Sequence, residues 1–225
     1  RLSLNEHFFK WHKNPLARNL EHYFNALRPI YDDEFAKYDF VLFADMDVFV
    51  KSDAINIFEE QSLSNFHIAM AEEPEQIKER QLKNGLIKGS NDQKYDKVIN
   101  IRLKSDPPRD PRGELRIFNS GVVLYRNPSN LRTLIINPDW YILNINLAGL
   151  PRFYSLDQNF LGAVIGRSDI KFVELKQHWN QRVRDNQSDN QLLSEARFVH
   201  LQISGKNTLG NDELKKYLGS LGISV

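Results

Sequence analysis

An α/β fold is expected, with a mostly parallel central sheet flanked by helices. Two observations predict it. Short runs of strand length recur along the chain, at Phe40–Ala44, His67–Ala71, Phe118–Tyr125, Ile170–Leu175 and Phe198–Leu201. Several are too continuously apolar to have one wet face, which suits burial on both sides. Between them lie stretches with helical spacing: Leu16, Leu20, Phe24 and Leu27 near the front, and Phe160, Leu161, Val164 and Ile165 in the middle. Asp212 to Leu218 reads as an amphipathic helix near the end.

In chain order, residues 1–38 read as helical. Asn14-Pro15 fits a helix start, with proline at the first helical position. Pro29 is expected to break or kink that helix, leaving a turn or two up to Tyr38 before the first strand. Asp53 to Glu60 reads as a short helix after it. Glu72 to Leu115 is charged and punctuated by Gly85, Gly89, Pro107, Pro108, Pro111 and Gly113. It is expected to be a long excursion, only partly ordered and the most mobile part of the chain, with a lid or acceptor-binding role. A helix is expected near Asn130 to Ile136. Ser155-Leu156-Asp157-Gln158 opens another, and Ser155 with Gln158 has the spacing of a capping box.

With 225 residues, one domain over 1–225 is expected, residues 72–115 being its excursion. Hydrophobic residues make up 41%, enough for a substantial core. The 30 Lys and Arg nearly balance 29 Asp and Glu, so charge gives no reason to expect nucleic acid. With no cysteine, disulfides, thiolate metal sites and a Cys nucleophile are excluded. No run approaches the roughly 18 apolar residues of a membrane span, and no signal peptide is visible. A cytoplasmic location is expected, with peripheral membrane contact left open. The chain begins at Arg1, so the Golgi lumen is the expectation if it is eukaryotic and has lost a leading segment.

The chemistry centres on Phe43-Ala44-Asp45-Met46-Asp47-Val48. Two carboxylates stand where an apolar strand leaves its sheet, although Asp is a poor strand former. In an open α/β sheet the carboxyl ends of the strands line the ligand crevice. Two adjacent carboxylates there suit a divalent cation, which in turn suits a diphosphate. The bland alternative is a strand-end turn with solvated carboxylates, since so short a motif arises readily by chance.

Three further pieces follow in order: Phe118-Asn119-Ser120-Gly121-Val122, then Leu156-Asp157-Gln158-Asn159, then Val199-His200 with Gly205-Lys206. Together with the acidic pair they resemble the glycosyltransferases of the GT-A fold, most closely family eight, the glycogenin and lipopolysaccharide galactosyltransferase group. The resemblance covers about residues 16–206. It implies that Asp45 and Asp47 hold Mn²⁺ (or Mg²⁺) against the donor diphosphate, with His200 as third protein ligand. It implies that Lys206, six residues after His200, contacts the diphosphate, and that Asn119 and Gly121 line the donor sugar. Asp157 and Gln158 match the Asp-Gln pair under the sugar ring, the proposed catalytic positions. Arg28 fits an arginine that reaches the donor from the helix before the acidic pair. The family's glycine three residues after the histidine is Ile203 here, and Gly205 is the glycine available. The family also has two strands before the acidic pair that build the nucleotide-base pocket; here the preceding residues read as helices, so the expectation is either that a leading segment with those strands is missing from this chain or that the base pocket is incomplete.

The activity this implies is metal-dependent transfer of a sugar from a nucleotide-diphosphate donor, UDP-linked by expectation, to a glycan or lipid-linked acceptor, with retention of configuration. Each residue also has a structural reading. Asp157 and Gln158 cap a helix, Asn119 to Gly121 form a bulge, and His200 is a buried histidine bonded to backbone. The main rival is a degenerate, non-catalytic domain that binds glycan or a partner protein. A dehalogenase-like phosphatase, whose Asp-x-Asp continues Gly-Thr, fits less well, because here Val48-Phe49 follows.

Overall fold

The computed structural model describes residues 21–59, 65–73, 90–184, 190–202, 211–220 and 223. Its strands are β1 (Phe40–Ala44), β2 (Val48–Val50), β3 (Ile68–Glu72), β4 (Phe118–Arg126), β5 (Phe172–Leu175), β6 (Gln181–Arg184) and β7 (Phe198–Gln202). They form a four-stranded sheet in the order β1-β4-β3-β5 and a three-stranded sheet in the order β2-β7-β6. The α-helices are α1 (Arg28–Tyr31), α2 (Ser90–Lys97), α3 (Pro138–Leu147), α4 (Asp157–Ile165), α5 (Asn190–Glu195) and α6 (Asn211–Ser220). The fold is thus α/β, with sheets flanked by helices. Strand directions are mixed rather than mostly parallel among the described residues. β4 runs antiparallel to both β1 and β3, and β2 antiparallel to β7, while β3–β5 and β6–β7 are parallel.

The first sheet is covered on both faces, and the period-two pleat sorts its side chains. Ile68 and Met70 of β3, with Val123 and Tyr125 of β4, enter the main core beside Phe24, Leu27 and Phe160. Ala69 and Ala71, with Val122 and Leu124, point the other way into a second core around Trp179. That double burial is why β4 reads as an apolar strand once its Asn-Ser-Gly start is passed. The second sheet shares a third core with α5 and α6, built on Val183, Leu193, Val199, Leu201 and Leu218. Phe198 of β7 packs edge-on against Trp179, with ring centroids 5.3 Å apart, and so joins the two sheets.

Several expectations are corrected. Pro29 does not break a helix; it lies in the first turn of α1, where its missing N–H has no intrahelical partner to lose. Residues 21–27 and 33–37 on either side are 3₁₀ turns. The helix expected over Asp53–Glu60 is a single 3₁₀ turn at Ile57–Glu59. The helix expected near Asn130–Ile136 is likewise a 3₁₀ stretch, Pro128–Thr133. The second half of the 72–115 excursion is built into the core. α2 continues into a π-helical turn at Val98–Arg102, and Tyr95, Val98, Ile99 and Leu103 are buried in the main core. The Tyr95 hydroxyl donates to the Asn159 carbonyl at 2.6 Å, and the Tyr154 hydroxyl bonds Asp92. Residues 74–89, and the helix start at Asn14-Pro15, lie outside the described residues.

Four further elements were not anticipated: the three-residue β2, α3, β6 and α5. α3 starts at Asn137-Pro138, where the Asn137 side chain accepts the Trp140 N–H at 3.0 Å. β6 is polar, Gln-Arg-Val-Arg, with Val183 in the third core; pairing with β7 makes it a strand. α5 has only six residues, too short for a periodic signal.

Candidate functional site

The chain crosses from the first sheet to the second at the acidic pair. β1 ends at Ala44 and β2 begins at Val48. The turn between them is pinned at both ends. The Asp45 N–H extends the β1–β4 ladder by donating to the Gly121 carbonyl at 2.8 Å, and the Val48 N–H closes the turn onto the Asp45 carbonyl at 3.0 Å. The Asp47 carbonyl accepts the Leu201 N–H at 2.9 Å. Asp45 is therefore placed by β4 and Asp47 by β7. Met46 between them is fully exposed.

His200 arrives by the pleat of β7. Val199 and Leu201 enter the third core, so His200 between them faces the turn, opposite Val48 in register. Its Nε2 lies 3.3 Å from Asp47 Oδ1. Asp45, Asp47 and His200 each offer a ligand atom, and these atoms all lie within 4.8 Å of one another. Two carboxylate oxygens and an imidazole nitrogen, with no thiolate in the chain, suit a cation of the Mn²⁺ type. Three protein ligands also leave coordination positions for a substrate.

Asn119 and Gly121 stand directly behind the imidazole. A Cβ on Gly121 would lie 2.3 Å from His200 Cε1 and 2.8 Å from its Nδ1. Only glycine lets the ring pack here. Asn119 to Gly121 fall where the β3–β4 register is interrupted, between Phe118 and Val123, as the bulge reading expects, and the Asn119 side chain is also a hydrogen-bond junction. Its Oδ1 accepts the Gly121 N–H at 2.8 Å and Asn180 Nδ2 at 2.9 Å, and its Nδ2 donates to Glu73 Oε2 at 2.9 Å. Asn180 in turn places its Oδ1 3.1 Å from His200 Nδ1.

Asp157 and Gln158 open α4, but not as a capping box. The N-cap is Leu156 and makes no side-chain cap; Gln158 Nε2 instead reaches Glu73 Oε2 at 3.1 Å. Asp157 Oδ1 accepts the Gln158 N–H at 2.8 Å. Burial pushes the Asp157 carboxyl up to about 7 from an ordinary 3.8. Hydrogen bonds from the Gln158 backbone and the Ser120 side chain pull against that rise, and the nearby charge of Asp45 adds to it. A third carboxyl, with its pKa raised to about 7, thus borders the acidic pair.

Asp45, Asp47 and His200 are brought together, with Asn119 and Gly121 packed behind and Asp157 and Gln158 beside them. Arg28 is held elsewhere by the contacts described: its guanidinium lies 3.7 Å from Asp32 within its own helical stretch. Gly205 and Lys206 lie outside the described residues. The residues to which reading the sequence assigned no role are Glu73, Asn180 and Arg182. Glu73 is only 1% exposed and forms an ion pair with Arg182. The signal for it was present, since Glu72-Glu73 follows an apolar strand run as Asp45 does.

No protein-family profile matches the chain, and no curated protein matches it in sequence. Among solved structures it is similar to mouse xyloside xylosyltransferase 1 in its apo form, at 18% identity and a TM-score of 0.45, covering 84% of this chain and 66% of that one. It is similar to the apo WbbM bifunctional glycosyltransferase, at 18% identity and a TM-score of 0.48, covering 80% of this chain and 31% of that one. It is also similar to an active-site mutant of LgtC, at 14% identity and a TM-score of 0.45, covering 84% of this chain and 63% of that one. The chain spans less than two thirds of the length of each. Its function is therefore read from its own site.

Proposed function

We propose that the chain is a metal-dependent glycosyltransferase that moves a sugar from a nucleoside-diphosphate donor, UDP-linked, to a glycan or glycolipid acceptor. The observation that carries this is the convergence of Asp45, Asp47 and His200 from both sheets onto one small volume. Structural carboxylates at a strand end have no need of an imidazole turned toward them. Mn²⁺ or Mg²⁺ held there would supply Lewis-acid stabilisation to a leaving diphosphate. The protein's own part is positioning. Asn119 and Gly121 form the wall behind His200, and Asp157 and Gln158 border the space where the donor sugar would lie. Lys206, by resemblance, would add a second positive group at the diphosphate. Retention of configuration is carried by resemblance alone. Gln158 is too weak a nucleophile to act by double displacement, whereas Asp157 is a buried carboxylate that remains partly ionised at neutral pH.

The test is thermal unfolding with UDP, GDP or CMP, each with Mn²⁺ or with EDTA. Stabilisation by UDP is expected only with Mn²⁺, by roughly 2.7 kcal/mol at a hundredfold excess over the dissociation constant. Asp47→Asn, nearly isosteric, should abolish the Mn²⁺-dependent part and leave the melting temperature without ligand almost unchanged. Equal stabilisation by UDP in EDTA would overturn the metal-dependent reading. Sugar transfer is then scored as UDP release from a panel of UDP-sugars. Binding without release across the panel and a range of acceptors would favour the non-catalytic, glycan-binding alternative. Among the described residues no helix is long and apolar enough to cross a membrane.

A further inference from the structure

Behind the three candidate ligands runs a chain of hydrogen bonds whose direction is set at its origin. A carboxylate only accepts, so Glu73 Oε2 fixes which end of Asn119 faces it: the Nδ2, at 2.9 Å. The Gly121 backbone N–H only donates, and it holds the other end, Oδ1, at 2.8 Å. Asn119 cannot turn over without facing both partners wrongly. Its Oδ1 then requires a donor from Asn180, which supplies Nδ2 at 2.9 Å. That leaves Asn180 Oδ1, a pure acceptor, 3.1 Å from His200 Nδ1. The ring must carry a hydrogen on Nδ1, and in its neutral form that leaves Nε2 bare toward Asp47 Oδ1 at 3.3 Å. Two acceptors then face each other across a gap that a cation would fill.

We infer that Asn180, oriented through Asn119 by Glu73 and the Gly121 N–H, is a positioning residue that holds His200 as its Nδ1–H tautomer and presents Nε2 for metal binding. This rests on the metal reading above. Partners that donate to or accept from the far nitrogen of a metal-bound histidine set its tautomer and its affinity. Here the partner is an amide whose own orientation is imposed by a carboxylate buried in the first sheet and ion-paired to Arg182. The relay starts just past β3, passes through β4 and ends on β7. It therefore links both sheets at the one place where the ligands meet.

The experiment reads the tautomer directly. The chain, labelled with ¹⁵N in its six histidines, is studied without metal well above the ordinary histidine range, around pH 8.5. The His200 signals are assigned by comparison with His200→Gln. Protonated Nδ1 with bare Nε2 is expected. A hydrogen on Nε2 in the major form, neutral or cationic, overturns the inference. Asn180→Leu removes the acceptor. The hydrogen should move to Nε2, facing Asp47, and Mn²⁺ affinity by calorimetry should fall about 10–100-fold. Asn180→Asp keeps an acceptor for Nδ1 but sets a carboxylate oxygen against Asn119 Oδ1; it should lower the melting temperature while retaining the tautomer and Mn²⁺ affinity within a few-fold, which rescues the effect on the histidine in a conservative variant. Asn180→Leu that keeps Nδ1–H and full affinity overturns the inference. If Asn180→Leu does not fold, the wild-type tautomer and Asn180→Asp still decide. A wild-type chain with Nδ1–H that binds no Mn²⁺, with or without UDP, upholds the relay and removes the metal reading. Mn²⁺ binding by an Nε2–H ring does the reverse.

Discussion

The two sheets differ in what their strands must satisfy. β4, at the middle of the first, is buried along eight of its nine residues because helices cover one face and the Trp179 core the other. β7, at the middle of the second, splits its residues between different environments. Val199 and Leu201 fill the third core, while His200 turns to the cleft and Phe198 to Trp179. The first sheet therefore acts as a frame for Asp45, Asn119 and Gly121, and the second as a carrier that brings Asp47 and His200 to it. A site built across such a seam depends on the contacts that hold the sheets together as much as on its ligands.

The largest effect should come from breaking that junction. Trp179→Ala empties a fully buried site shared by β3, β4 and β7 and should cost about 3–5 kcal/mol in urea denaturation. A loss below about 1 kcal/mol would mean that the sheets are held together elsewhere.

Gly121→Ala tests whether the frame outranks the carrier. The added methyl must displace the His200 ring, since its other near neighbour, Asn119 Oδ1 at 2.8 Å, is held by Asn180 Nδ2, with Asn119 Nδ2 fixed on Glu73. A loss of about 1–3 kcal/mol from overpacking is expected, with Mn²⁺ affinity lowered about 10–100-fold. Calorimetry and thermal melts separate the two. Unchanged Mn²⁺ affinity would show that the ring can yield without leaving the ligand cluster.

Asp157 sharpens the comparison by pH. Its folded carboxyl lies near 7 and its ordinary value is 3.8, so the folded state binds the proton more tightly than the unfolded one. The stability it contributes is fully present below about pH 4 and is lost as pH rises through 7. Asp157→Asn should therefore stabilise the chain at pH 8, by a few kcal/mol at most. It should change little near pH 4 and flatten the decline between the two. A pH–stability profile that matches wild type across this window would refute the assignment.

The smallest effect is expected at Arg28, outside the seam. Its guanidinium is partly exposed while the Asp32 carboxylate is buried, so Arg28→Ala should lower stability by about 1 kcal/mol and leave Mn²⁺ affinity unchanged. If the donor role implied by resemblance holds, UDP affinity should still drop roughly tenfold. Titration of UDP in the presence of Mn²⁺ would show whether it does.

Much of the frame was legible in the residues. Phe40–Ala44, the Phe118–Tyr125 run and Phe198–Leu201 became strands because an apolar segment of that length has few other ways to be buried. Asp45 stood out because a charge at the end of such a run opposes local preference. β6 and α3 were not legible for the opposite reason. A Gln-Arg-Val-Arg segment becomes a strand only when a neighbour supplies the hydrogen bonds, and α3 has apolar residues on nearly every side. The buried half of the 72–115 excursion was misread because its prolines and charges mask four residues, Tyr95, Val98, Ile99 and Leu103, that anchor it.

From the sequence alone came the α/β class, the acidic pair at a strand's end, and the candidacy of Asn119, Gly121, Asp157, Gln158 and His200. The class and the acidic pair follow from local pattern, since burial, charge and spacing are written residue by residue; the other candidacies rest on the resemblance of the ordered motifs to a known family. Only the tertiary structure decided that Asp45, Asp47 and His200 share one small volume. It alone decided that Gln158 turns to Glu73 instead of capping its helix. It alone placed Glu73, Asn119 and Asn180 in one directed series behind the imidazole. Hydrogen-bond direction depends on which group faces which across distant strands, and no local pattern carries that.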